Sequence, residues 1–333
     1  MPHDASFIDD PENRRWNYRP SEPVALNPLF SWPPSPVAVF NWYRGAWLQI
    51  TSLTICMAMA VFVWWVMLPP LAEMTSFASG WMARVWLANL LPQIALAGTL
   101  HWWLYIRKGQ GMQKKFEKRG QAHRSVIFTF DNQVHDNMFW TLGSAITVST
   151  IYQWGIFWVM ANGYVWTVTW ADSPAWFLAW LALTPMWSGL HFYWVHRLEH
   201  SPALYRHVHA VHHRNVNVGP WSGISNHWYE NMFYFTTYWV HLIVPSHPFH
   251  LVWHAMFQQL SPVLSHSGFE RIIVHETEAA KSGDFFHQLH HKYFECNYGT
   301  SEIPFDKWFG TFHDGSAAAT RRTREHKRRM YLK

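Results

Sequence analysis

Four stretches of the chain are apolar for long enough to cross a hydrocarbon layer, and their order predicts most of the architecture. The first, Trp47 to Leu68, contains no charged residue, and at about 1.5 Å per residue it spans a core of about 30 Å. It stops at Pro69-Pro70. The second, from about Val85 to Ile106, holds Pro92 and Gly98, both of which membrane helices tolerate better than soluble ones. The third runs from about Met138 to Ala161 and the fourth from Pro174 to Val195. Between the second and third lie Arg107, Lys108, Lys114, Lys115, Lys118, Arg119 and Arg124 against Glu117, whereas the loops around Glu73 and Asp172 carry almost no positive charge. The positive-inside rule then puts both termini and the Arg107–Arg124 loop in the cytoplasm, so the fourth helix emerges there at His196.

Farther on, Phe233–Pro245 and Phe249–Leu264 are apolar and aromatic but broken by His241, His247, Pro248, His250 and His254. Such short, interrupted stretches read as interfacial or re-entrant helices, and the histidines, with His275, as interfacial residues. The expected fold is all-α and integral to a membrane. A cytoplasmic or interfacial arm (1–46) precedes a region of about four transmembrane helices (47–195; spans 47–68, 85–106, 138–161 and 174–195). A cytoplasmic helical cap (196–313) and a basic tail (314–333) follow.

Composition agrees with lipid surroundings: 18% of residues are aromatic, including 24 Trp, and 14% are charged against about 25% in ordinary soluble domains. The mean hydropathy of −0.14 is no objection, because such scales rate Trp, Tyr and His as polar. The basic excess, 26 − 21 = 5, is concentrated in Arg107–Arg124 and Arg321–Lys333. Beside apolar runs it reads as a topology signal or a contact with anionic lipid, not as a nucleic-acid footprint. Two cysteines, Cys56 and Cys296, give no disulfide framework, and Cys296 reads as a small reduced interior residue. The N-terminus lacks a signal-peptide pattern and is read as an arm on the membrane surface. A bacterial inner membrane and an endoplasmic reticulum fit equally.

The chemistry lies just past the fourth run. His196-Arg-Leu-Glu-His200, His209-Ala-Val-His212-His213 and His287-Gln-Leu-His290-His291 each place imidazoles three and four residues apart, on one helix face, so each group is expected to aim at a common point. Eight imidazoles exceed the four ligands of a tetrahedral zinc, so two metals are expected. Imidazole suits iron, copper, zinc and nickel, and an all-nitrogen dinuclear site open to O2 favours iron. Glu199, Glu230, Asp284 and Asp306 are candidates for fixing imidazole tautomers.

These boxes resemble those of the fatty acid hydroxylase/sterol desaturase superfamily, from about Tyr193 through His313. Tyr193-Trp194-Val195-His196-Arg197 resembles its first box, and Leu204-Tyr205-Arg206 before His209 the approach to its second. Asn297-Tyr298-Gly299 with Asp306-Lys307-Trp308-Phe309-Gly310-Thr311 resembles the segment after its third. The resemblance implies two further metal ligands, His227 in Asn226-His227-Trp228-Tyr229-Glu230 and His266 in Ser265-His266-Ser267-Gly268; His191 and His207 are placed outside the set. The acidic residue that relatives carry before the first box is missing from Thr184–Leu190. A di-iron centre is implied, with zinc as a substitute that purified protein can take up, together with O2 and a sterol, fatty acyl or related lipid substrate to be hydroxylated or desaturated. The sequence has no HPGG haem segment, cysteine set for an iron–sulfur cluster or GxGxxG fingerprint. Electrons must therefore come from an external donor such as a ferredoxin, or a cytochrome b5-type protein with its reductase. The competing reading is a metal-binding or metal-transporting membrane protein without oxygenase activity; it calls for polar groups in mid-bilayer, whereas these clusters follow the fourth run.

Overall fold

The computed structural model describes residues 16–20 and 23–331. Helix α1 (Pro36–Trp47) opens with the Ser35 hydroxyl accepting from the Ala38 amide and Pro36 in its first turn. The apolar run then breaks at residues 48–51, and α2 (Ser52–Phe62) restarts behind Thr51, whose amide donates to Thr54 Oγ1. Helices α3 (Ser79–His101), α4 (Gln133–Phe139), α5 (Ile146–Ala161) and α6 (Pro174–Glu199) cover the other predicted runs. Wide π turns extend α2 through Val63–Met67 and α3 through Trp102–Ile106, and Trp140–Ala145 joins α4 to α5. Past α6 come α7 (Pro202–Leu204), α8 (Ala210–His213), α9 (Trp228–Tyr234), α10 (Pro248–Ser265), α11 (Phe285–Tyr293), α12 (Phe305–Trp308) and α13 (Ala317–Tyr331).

Helix α10 corrects an expectation. It is no interfacial helix: it sits inside the bundle against α2, α3, α5 and α6, with Leu251, Trp253, Ala255 and Leu260 fully buried. Its histidines are satisfied there, not at a water boundary. His254 Nδ1 meets His241 Nε2 at 3.0 Å, its Nε2 meets Ser188 Oγ at 3.0 Å, and His250 Nε2 donates to the Phe177 carbonyl at 3.0 Å. Buried imidazoles with such partners avoid the cost of an unpaired polar group. The all-α expectation also needs amending, since β1 (Arg271–Val274) and β2 (Thr277–Lys281) form a small antiparallel hairpin turned by His275 and Glu276.

The described part of the arm is seated on the cap. Trp16 is buried against Phe285, the Val24 amide donates to the Asp314 carbonyl, and the Asn27 amide to the Ser301 carbonyl. The described part of the arm therefore straps the cap, and residues 1–15 lie outside the described residues.

Among the described residues no single helix is long and apolar enough to cross a membrane; α1 and α2 with its π turn, bent by 46°, pass that test together. The outer surface of the bundle is nonetheless apolar, with Trp65, Leu91, Ile94, Ile151, Leu178 and Ile243 all exposed.

Candidate metal centre

Four elements deliver nine imidazoles to one place at the end of the bundle. His196 and His200, one turn apart, close α6. The second box folds as α7, a π turn over Tyr205–His209, and α8, a wide turn of the kind that recurs at functional sites. His266 follows directly on α10, and two residues on Gly268 adopts φ +80° where an added Cβ would also strike the Tyr105 hydroxyl, so the position calls for glycine. Asp284 caps α11 by accepting from the Phe286 amide, and α11 carries the third box.

The boxes do not each aim at one point. His196, His200, His209, His213 and His290 form a first group, and His212, His266, His287 and His291 a second; within each group the ligand atoms all lie within 4.8 Å of one another. The outer pair of the second box (His209, His213) thus serves the first group while His212 turns to the other. In the third box His287 and His291 serve the second group and His290 crosses to the first. Adjacent residues on a helix point about 100° apart, so the doubled histidine of the second and third boxes reaches both groups at once.

Hydrogen bonds at the outer nitrogens fix the tautomers. Nδ1 donates to the Tyr298 carbonyl from His196 (2.6 Å), to the Cys296 carbonyl from His290 (2.7 Å) and to the Pro262 carbonyl from His266 (3.0 Å). A carbonyl only accepts, so in these three residues Nε2 is an unprotonated lone pair. Yet His196 Nε2 faces His209 Nε2 at 3.1 Å, His290 Nε2 faces His213 Nε2 at 3.0 Å, and the Nε2 atoms of His266, His287 and His291 form a triangle of 3.1 Å sides. Where both facing nitrogens are lone pairs, they repel unless a cation or a shared proton lies between them. Donors bound at right angles about 2.1–2.2 Å from one ion lie about 3.0 Å apart, and tetrahedral ones about 3.5 Å. The spacing fits right-angled coordination, with five nitrogens for one ion and four for the other.

Burial keeps the imidazoles ready. It holds His209 down to about 3 and His266 down to about 4, and pushes His212, His213, His287, His290 and His291 well below the ordinary histidine range. The donor set is therefore neutral at physiological pH, and negative charge comes from elsewhere. His209 Nδ1 lies 2.9 Å from Glu230 Oε1 and 3.8 Å from Glu199 Oε2, both carboxylates being buried. Burial pushes both carboxyls well up in the metal-free protein, and Glu230 raises Glu199 further.

His227 joins neither group. Its ring packs on Trp140 and its Nδ1 accepts from the Tyr229 amide, so it caps α9, and three residues on it is Glu230 that reaches the site. Asp284 serves only as a helix cap. Asp306 acts at one remove: it accepts from the Tyr298 and Gly299 amides and the Thr311 hydroxyl, fixing the loop whose Tyr298 carbonyl orients His196. The missing acid before the first box is thus replaced by a backbone carbonyl. Cys296 is buried, its thiol directed to the Leu289 carbonyl and not to a metal. His207 is exposed and His191 bonds Thr236, both apart from the groups. The Cys296, Tyr298 and Pro262 carbonyls were invisible to sequence reasoning, since any residue type supplies one.

This arrangement brings together two buried groups of imidazoles, each of which could hold a metal ion, in a helical cap. The fatty acid hydroxylase family model matches residues 180–311. The match covers 132 of the chain's 333 residues, and over that segment the chain is similar to members of this family. It is 32% identical over 145 residues to Delta(7)-sterol 5(6)-desaturase ERG3B of Gibberella zeae, covering 42% of this chain and 44% of that one. It is 28% identical over 146 residues to a putative Delta(7)-sterol-C5(6)-desaturase 2 of Arabidopsis thaliana (42% and 51%). To methylsterol monooxygenase 1 of Gallus gallus it is 26% identical over 147 residues (43% and 49%). The chain spans about half or less of the length of these relatives. No solved structure matches.

Proposed function

We propose that this chain is a membrane-embedded oxidoreductase that holds two irons and uses O2 and external electrons to hydroxylate or desaturate a C–H position of a lipid, most simply a sterol. The observation that carries the reading is the gathering of buried neutral imidazoles into one group of five and one of four, which suits a pair of metal ions. The names of the relatives support the sterol class. The exposed apolar belt around α2, α3, α5 and α6 supports immersion in lipid, with the cap on the cytoplasmic side.

Bound iron would supply O2 reduction and hydrogen abstraction; the chain's own part is positioning and exclusion. The Tyr298, Cys296 and Pro262 carbonyls and Glu230 hold four imidazoles in the liganding tautomer. On the bundle side Phe192 stacks on His196 at 4.7 Å and lies 6.3 Å from His287, between the two groups, with Tyr234 edge-on behind it. An apolar substrate rising from the bundle meets this wall, which keeps water from the reacting carbon.

The test is purification with quantitative metal analysis, and sterol and acyl-lipid profiling of cells with and without the chain under 18O2. The expected result is two metal ions per chain and a new oxidised lipid. An alcohol retains the label and an alkene does not. One ion or none per chain, or unchanged lipids with a fully loaded protein, would sink the proposal.

A further inference from the structure

His212 has an outer partner of a different kind from the carbonyls and the carboxylate described above. Its Nε2 meets His291 Nε2 at 3.0 Å, inside the second group. Its Nδ1 points the other way, to the side-chain amide of Asn226 at 2.9 Å, and both residues are buried. Which end of that amide faces the ring determines what the ring can bind. An oxygen there accepts from Nδ1–H and leaves Nε2 a bare lone pair. An NH2 there donates to Nδ1 and puts the hydrogen on Nε2, where it keeps an ion out.

Three hydrogen bonds fix the orientation. Asn231 Nδ2 donates to Ser144 Oγ at 2.8 Å and to the Asn226 backbone carbonyl at 3.2 Å. A carbonyl only accepts, so that end of Asn231 is its NH2 and the opposite end its oxygen. Asn231 Oδ1 in turn accepts from the far end of the Asn226 side chain at 3.3 Å, which is therefore Nδ2, and the end toward His212 is the oxygen. The series starts in the bundle, at Ser144 in the π turn before α5, passes through α9 and ends on a candidate ligand; Ser144 and Asn231 are as buried as Asn226, so water does not compete.

Two oxygens pull the other way. Glu230 Oε1 stands 3.2 Å and the Ser225 carbonyl 3.3 Å from the same end of the amide, and each would accept from an NH2 placed there. Turning the amide over gives up the bond to Asn231 and sets the hydrogen of His212 on the nitrogen that faces the second group. The plainer reading is a structural amide that only fills hydrogen bonds; it favours neither group over the other.

We propose that Asn226 is a positioning residue of the second group: its amide oxygen, aimed by Ser144 and Asn231, holds His212 with Nε2 bare toward the ion. The inference rests on the two-ion reading above and not on the lipid chemistry. An acceptor at the outer nitrogen of a liganding imidazole fixes its tautomer and direction, and losing one weakens metal affinity about 10–100-fold.

The test uses the full chain in detergent, with 57Fe(II) in excess so that both groups are filled, read by Mössbauer spectroscopy and by competition with a chelator of known affinity. His200→Ala and His266→Ala, which touch one group each, show which signal belongs to which. Asn226→Leu, similar in size but without an acceptor, is expected to bind metal about 10–100-fold more weakly and to move the signal that His266→Ala moves, leaving the other in place. Asn226→Asp keeps an oxygen against Nδ1 and should bind more tightly than the Leu protein, with the second group's signal retained. Unchanged affinity and signals in Asn226→Leu, movement of the first group's signal instead, or an Asp protein that binds more weakly than the Leu protein would each overturn the assignment. Thermal unfolding of the chelator-treated proteins shows whether Asn226→Leu folds; if it does not, the Asp protein decides alone, and loss of its second-group signal refutes the proposal. A wild-type chain that takes up fewer than two ions sinks the two-ion reading itself.

Discussion

Replacing Glu230 by glutamine tests the centre through a residue that touches no metal. Glu230 Oε1 lies 2.9 Å from His209 Nδ1 in a buried setting, while Glu199, the only other carboxylate near that nitrogen among the described residues, stands off at 3.8 Å. Glutamine keeps the shape and an acceptor oxygen but removes the charge. In the metal-free protein burial already keeps the Glu230 carboxyl neutral, so the substitution changes little there. With an ion bound and the carboxylate ionised, a charge-assisted hydrogen bond of about 1.5–3 kcal/mol becomes a neutral one of about 0.5–1.5, and removing such partners weakens metal affinity about 10–100-fold. We expect that range for Glu230→Gln, less than about threefold for Glu199→Gln at its longer distance, and more than the product of the two for the double variant, since each carboxylate partly replaces the other. The assay is competition for metal against a chelator of known affinity, with thermal unfolding of the chelator-treated proteins as the control for folding. Unchanged metal affinity in Glu230→Gln would refute the claim that this carboxylate directs His209.

Three further outcomes follow. His266→Ala should lower the metal content of purified protein, because it opens the triangle with His287 and His291, whereas His227→Ala should keep it; equal metal content in the two variants would contradict the grouping. Asp306→Ala removes three hydrogen bonds that fix the loop behind His196 and should destabilise the cap by about 2–4 kcal/mol, read as a lowered unfolding midpoint. Acid should destabilise the metal-free protein. His209 and His266 are held at about 3 and about 4, below the ordinary value of about 6.5, so under that pH the unfolded chain binds protons that the folded one refuses. Stability from these two is complete above about pH 7 and falls by about 1.4 kcal/mol for each of them at pH near 5.5; chemical unfolding at the two pH values that showed no such loss would contradict their burial as neutral bases.

The helices and the histidine boxes were legible because both rest on local periodicity: an apolar run long enough to be a helix, and imidazoles at three and four residues. What periodicity does not carry was missed. Helix α10 looked peripheral because His250 and His254 interrupt it, yet those rings are paired inside the bundle with Phe177, Ser188 and His241. His227 looked like a ligand because an acid follows it, but the ring is used as a helix cap and the acid does the reaching. The split of each doubled histidine between two centres depends on how α8 and α11 face one another, which neither segment records alone. The hairpin was too short to signal itself, and its turn needs only two residues that tolerate positive φ.

The crossed assignment of the boxes bears on how the protein is assembled. The second box gives two nitrogens to the first group and one to the second, and the third box does the reverse, so an ion in either group would tie both boxes together. On the proposed reading neither ion would leave without loosening the seat of its neighbour, and a chain holding only one would keep four or five unliganded imidazoles clustered beside it. Loading would then be cooperative, and a half-filled centre is the form that this arrangement would disfavour.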